Sequence, residues 1–322
     1  MFALDRTAVL FIGLVVGAVI GISFFTGGDR VPGGEAQAKP VLPPPTAVAS
    51  TPAAQTAAAN VADGLAPRLA EAVREGRKIR IGVFGDSFGD GVWAGVYNIF
   101  RGDDRYEVRQ FSERSTGFTR YRSLNLLDDA RAKLDRNPVD IAIISYGAND
   151  TQGIYLDGRG HQFMSEGWQR IVTERVTAII NLMRERGIQV YWVGLPKMRE
   201  TQFDTDIRAM NAFFTSRMQA LGVPEIETAT PSTGPDGQFA PYLTDPRTSE
   251  RFNARTNDGV HMTIPGYILV MRPLAERIRR SVAAAGGPAV PEVRTAERQQ
   301  PASGEGAGAP PARGSRETRS AR

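Results

Sequence analysis

Between residues 65 and 284 the chain alternates short apolar, β-rich runs with amphipathic helical stretches. No other feature restricts the fold of these 322 residues as strongly. The β-rich runs occupy 79–84, 106–111, 139–146, 188–195 and 223–227. Helical periodicity fills 92–100, 124–134, 168–186 and 206–221. A final helix begins at Thr263, which can cap it, with Pro265 in its first turn. A short helix precedes the first strand, opened by Pro67 and closed by Gly76. Strands with continuous apolar character, alternating with helices, imply a parallel sheet covered on both faces. Ligands of such sheets bind beyond the carboxyl ends of the strands, so chemistry is sought just after each one.

The flanks read differently. Residues 8–25 carry no charge, and at 1.5 Å per residue they span about 27 Å, enough to cross a bilayer. The expectation is an uncleaved membrane anchor within 1–25. A cleaved signal segment is the competing reading, but the small-residue site at Ala36-Gln37-Ala38 lies far beyond Phe25. Gly13, Gly17 and Gly21 share one helix face, which would permit weak dimerisation. Arg6 and the α-amino group favour a cytoplasmic N-terminus, with the catalytic mass outside the cytoplasm. Residues 26–63, which include the prolines at 43–45, read as a disordered Pro/Ala/Gly-rich linker, and 285–322 as a disordered tail. The folded domain is then 64–284.

Composition removes several chemistries. With no Cys there is no disulfide framework, Cys-bound zinc, iron–sulfur cluster or thiol nucleophile. Two His argue against a His-rich metal site, and no metal or organic cofactor is expected. Thirty-nine basic against thirty-five acidic residues give +4, too even for an obligate nucleic-acid binder.

The predicted loops carry the candidate chemistry. Gly85-Asp86-Ser87 follows the first strand, Ser115-Thr116-Gly117 the second and Gly147-Ala148-Asn149-Asp150 the third. Pro196-Lys197-Met198-Arg199 follows the fourth, and Asp258-Gly259-Val260-His261 precedes the last helix. A serine hydroxyl needs an adjacent base to become a nucleophile, and histidine is the usual one. His161 lies in a polar Gly-rich loop and reads as a surface residue, which leaves His261. Asp258 stands three residues before it, a spacing that in a tight turn lets a carboxylate reach Nδ1. Donors for a developing oxyanion would be the N–H of Ser87, the N–H of Gly117 and the amide of Asn149. Asp150 is assigned a structural role, tying its loop to neighbouring amides. Asp86, Gln152, Lys197, Arg199 and Arg255, all in rim segments, are candidate substrate contacts. The glycine-rich turn at 85–91 fits neither a dinucleotide fingerprint nor a Walker loop, which would need a lysine.

In this order the blocks resemble the SGNH or GDSL-type hydrolases. The likeness covers nearly the whole predicted domain. It implies a flavodoxin-like three-layer α/β/α sandwich of about five parallel strands, with Ser87, Gly117, Asn149, Asp258 and His261 on the family's functional positions. The stretches 146–152, 192–199 and 258–263 are similar to the extracytoplasmic branch named domain of unknown function 459. The resemblance implies esterase or acyltransferase chemistry and a periplasmic domain on an anchor, and does not fix the substrate. The expected substrate is an O-acyl, in particular O-acetyl, ester of an envelope glycan or a similar ester. An O-acetyltransferase using the same residues, and a non-catalytic glycan-binding module on the same fold, are the alternatives.

Overall fold

The computed structural model describes residues 65–286. The predicted anchor, its Gly13, Gly17 and Gly21 face, the linker and all but the first residues of the tail lie outside the described residues. Among the described residues no helix is long and apolar enough to cross a membrane.

The chain first forms α1 (Pro67–Glu75), closed by Gly76 at φ 63°, whose N–H returns to Ala72 and Val73 carbonyls. It then enters β1 (Ile79–Gly85), α2 (Ser87–Phe100), β2 (Tyr106–Gln110), α3 (Leu126–Arg136) and β3 (Ile141–Ser145). A hairpin of β4 (Ile154–Leu156) and β5 (Arg159–His161) follows, then α4 (Glu166–Glu185), β6 (Gln189–Val193), α5 (Thr201–Leu221) and β7 (Glu225–Ile226). A second hairpin, β8 (Tyr242–Thr244) with β9 (Arg251–Asn253), precedes α6 (Ile264–Ala284).

The helices begin where capping chemistry allows. Asn125 accepts from Leu127 and Asp128 amides, Ser165 from Trp168, and Thr263 from Gly266. The main sheet has the order β2-β1-β3-β6-β7, parallel throughout. Counting only its own strands this is 2-1-3-4-5, the flavodoxin-like order.

Alternate residues of the central strands feed two separate cores. Ile81, Val83, Ile141 and Ile143 join Val92, Val96, Val270 and Leu274 from α2 and α6. Phe84, Ala142 and Ile144 join Leu134, Val172, Ile180, Met210 and Phe214 from α3, α4 and α5. Both sheet faces are therefore buried, which explains the uninterrupted apolar runs. The three-layer α/β/α sandwich is as expected. The two hairpins are not: each strand is three residues long, too short to display a period. His161 belongs to β5 and is half-buried against Gly167, rather than sitting in a free loop.

Candidate active site

The site is built from the first strand outward. β1 lies at the switch in strand order, between β2 and β3. Its last residue, Gly85, has no room for a side chain, because a Cβ would stand 2.3 Å from the Ser145 carbonyl and 2.7 Å from Gly89 Cα. The tight turn this allows starts α2 at once. Asp86 caps the helix, accepting from Phe88 N at 2.8 Å, so Ser87 occupies the first helical position. A helix start presents unpaired N–H groups and the positive end of the helix dipole. The hydroxyl of Ser87 therefore stands beside a site suited to negative charge.

The other members arrive on the loop before α6. His261 Nε2 lies 2.9 Å from Ser87 Oγ, and its Nδ1 lies 2.7 Å from Asp258 Oδ2. The second carboxylate oxygen of Asp258 accepts from Thr256 Oγ1 at 2.6 Å, Val260 N at 2.8 Å and His261 N at 3.0 Å. Partial burial works against the Asp258 charge. The hydrogen bonds from Thr256, His261 and the two amides outweigh it and hold the carboxyl well below the usual range. Gly259 makes the turn at φ 76° and packs against Arg199.

Asn149 and Gly117 come from the two neighbouring loops. Asn149 Nδ2 donates to the Thr116 carbonyl at 2.9 Å and makes a long 3.4 Å contact to Asp86 Oδ2. These contacts bind the loops after β1, β2 and β3 to one another. Gly117 is pressed against the buried carboxylate of Asp150. Asp150 accepts from Thr119 N and Oγ1, both at 2.7 Å, and so has the loop-tying position expected of it. Burial raises the Asp150 pKa despite these bonds.

An open cavity of 540 Å³ lies against Ser87, His261 and Asp258. Its far wall is Asp90, Trp93, Gln110, Arg114, Ile264 and Tyr267. Asp90 accepts from Gln110 at 2.9 Å, from Ser112, and from Arg114 at 2.5 Å, clamping the loop after β2 to α2. Sequence reasoning missed this wall because it placed the start of α2 at residue 92. Once the helix begins at Ser87, Asp90, Gly91 and Ala94 follow on the same face by helical spacing.

Of the five candidate substrate contacts, none lines this cavity, and two require outright correction. Asp86 is fully buried, bonded to helix amides, and pushed up to about 7 by burial. Arg255 is 2% exposed. Its guanidinium donates to the carbonyls of Lys197 at 2.7 Å and Val260 at 3.0 Å, so it is an internal strut for the His261 loop. Lys197 pairs with Asp204 at 2.8 Å. Arg199 is exposed, but donates to the Asn257 carbonyl at 2.8 Å and lies over the Phe239 ring. Gln152 donates to Thr119 and Asn149, and faces a different cavity. Charge at a rim position is visible in sequence, whereas the backbone carbonyls that use it are not.

Fold and side-chain geometry together define an α/β/α domain with a Ser–His–Asp arrangement at the carboxyl edge of its sheet. The chain belongs to the DUF459 family, described as a protein of unknown function, whose sequence model matches residues 80–277. No curated protein matches it. Similar solved structures include a GDSL-like lipase from Bacteroides thetaiotaomicron, at 16% identity, covering 70% of this chain and 96% of that one with a TM-score of 0.45. An acetyl xylan esterase matches at 16% identity, over 62% of this chain and 99% of that one, with a TM-score of 0.41. The periplasmic domain of a lipopolysaccharide acetyltransferase from Salmonella ser. Paratyphi A matches at 13% identity, over 71% and 98%, with a TM-score of 0.44.

Proposed function

We propose that the protein is a serine esterase that removes O-acyl groups, with O-acetyl esters of a glycan as its substrate. The observation that carries this reading is the unbroken chain from Asp258 Oδ2 through both nitrogens of His261 to Ser87 Oγ, with contacts of 2.7 and 2.9 Å. In this reading Asp258 keeps the imidazole proton on Nδ1, which leaves Nε2 free to accept. Ser87 Oγ attacks the ester carbonyl as its proton passes to His261 Nε2. The oxyanion forms at the N-terminus of α2, where Phe88 and Asp90 amides are already bonded to Asp86 and the Ser87 N–H is the first unpaired donor. Gly117 N–H and the second N–H of Asn149 Nδ2, which makes only the long 3.4 Å contact to Asp86 and is released from it for the oxyanion, complete the set, each donor contributing roughly 3 kcal/mol. His261 then protonates the departing alcohol, and water attacks the acyl-serine by the reverse of the same proton path.

Hydrolysis is favoured over acyl transfer by exposure. The side chains of His261 and Asp258 are 32% and 47% accessible, so water reaches the base directly. We assign the domain to the periplasm, tethered by a helix within residues 1–25, on the uncharged stretch 8–25. The test is hydrolysis of a small aryl acetate by the purified full chain, beside covalent capture by a fluorophosphonate. Turnover and labelling should both vanish in Ser87→Ala, and full activity in that variant would end the mechanism. A wild-type chain that binds glycan without turnover or labelling would instead identify a binding module.

A further inference from the structure

The segment from Arg114 to Ser123 has a cavity on either side. One is the cavity at Ser87, which Arg114 borders. The other measures 510 Å³ and lies between this segment, the β4–β5 hairpin and α4. Its lining includes three arginines, Arg120, Arg122 and Arg175, and no acidic residue. Among the described residues none of these guanidinium groups takes part in an ion pair.

Two of the three are held in place by contacts that leave most of their donors unused. Arg120 donates to the Ser115 carbonyl at 3.0 Å. Arg175 lies 4.3 Å over the Tyr121 ring and donates to the Phe118 carbonyl. A guanidinium has five N–H groups in a rigid fork that matches a carboxylate in bidentate fashion. The rest of the lining is uncharged: hydroxyls from Ser115, Thr119 and Ser123, the Gln152 amide, the Tyr121 ring and the apolar Ile154 and Leu156 of β4. Tyr155 on β4 completes the rim with a ring that is 65% exposed. Among the described residues no aromatic ring or guanidinium stacks on it.

We propose that this groove binds a glycan chain bearing carboxylates. The arginines take the carboxylates, the hydroxyls and amide take sugar hydroxyls, and Tyr155 packs against the apolar face of a sugar ring. A nucleic acid is disfavoured because the chain as a whole carries only +4. The proposal is independent of the chemistry at Ser87 and extends the recognition surface across the Gly117 loop. It also places anion recognition away from Lys197, Arg199 and Arg255, the cationic residues among the substrate contacts expected from the sequence.

The experiment is fluorescence polarisation of fluorescein-labelled tetragalacturonate with the purified full chain in detergent, in the wild type and in Ser87→Ala. Saturable binding is expected in both, weakening as salt rises. Arg122→Glu and Arg120→Glu should each weaken it at least tenfold, with melting temperatures close to wild type. Unlabelled tetragalacturonate should compete, and neutral galactotetraose should not. Absence of saturable binding at low salt, or wild-type affinity in both charge-reversed variants, overturns the proposal. So does preferential binding of single-stranded DNA or phosphatidylglycerol vesicles that is lost in the same variants, since that would assign the groove to phosphate.

Discussion

Replacing Gly117 by alanine tests the oxyanion loop more sharply than any substitution of the nucleophile. Gly117 has an extended backbone with φ 169°, so the added methyl meets no conformational penalty. It meets Asp150 instead. A Cβ built there stands 2.5 Å from Asp150 Oδ1 and 3.0 Å from both Cγ and Oδ2. That is about 1 Å inside the separation of roughly 3.5 Å at which non-bonded atoms attract. Asp150 cannot retreat cheaply, because it is fully buried and holds Thr119 N and Oγ1 at 2.7 Å. The loop must therefore move, and the Gly117 N–H moves with it. Overpacking of this kind costs about 1–3 kcal/mol. For a domain of this size that corresponds to a fall in Tm of roughly 2–12 °C. Displacing one oxyanion donor lowers kcat by about 10²–10³. KM on a small aryl acetate should stay near wild type, since the donor acts on the transition state. Both quantities come from one purified variant, by stopped-time hydrolysis and thermal melting. A Gly117→Ala protein with wild-type kcat and Tm would refute both the crowding argument and the donor assignment.

Three further outcomes follow from the same geometry. Asp258→Asn keeps an oxygen for the Thr256, Val260 and His261 donors but loses the charge facing Nδ1, so kcat should drop by about 10³–10⁴ with little change in Tm; a large loss of Tm with kcat retained would contradict this. Arg255→Ala should destabilise the domain by about 2–3 kcal/mol, because it leaves the half-buried carbonyls of Lys197 and Val260 without their donor, and should slow hydrolysis of anionic and neutral esters by the same factor; a selective loss on anionic esters would restore it as a substrate contact. Asp86 titrates near 7 when folded and near 4 when unfolded, so the folded state binds the extra proton between these values. Its contribution is full below about pH 4 and is lost as pH rises through 7, and Asp86→Asn, still able to cap α2, should flatten that part of the Tm–pH curve. An unchanged slope would remove Asp86 as its source.

The opposite titration is expected of Asp245. Hydrogen bonding from Arg272 lowers its pKa to about 2, so its stabilisation is present above about pH 4 and is lost as pH falls towards 2. The two carboxyls therefore act in different pH windows, and Asp86→Asn should leave the acid limb intact.

Much of this domain was written in one dimension. The runs at 139–146 and 188–195 read as central strands, because their unbroken apolar stretches 141–144 and 190–193 suit a sheet buried on both faces. Gly85-Asp86-Ser87 was legible as a strand-to-helix turn, and the three-residue step from Asp258 to His261 is short enough for the chain itself to impose the Nδ1 contact. Helix starts at Asn125, Ser165 and Glu200 were placed a few residues off, since capping depends on a backbone angle that composition does not display.

What sequence could not decide was the use of each charge and the shape of each cavity. Arg255 and Arg122 look alike in one dimension. One is enclosed by carbonyls of the His261 loop, and the other stands in a groove without an acidic partner. The Trp93 and Arg114 wall depends on where α2 begins and on Asp90 reaching across to β2. Local spacing determined the residues that meet through a single turn. Residues that meet across 174 positions, as His261 and Ser87 do, were brought together by the packing of α6 against α2, a contact created only when the sheet orders its strands.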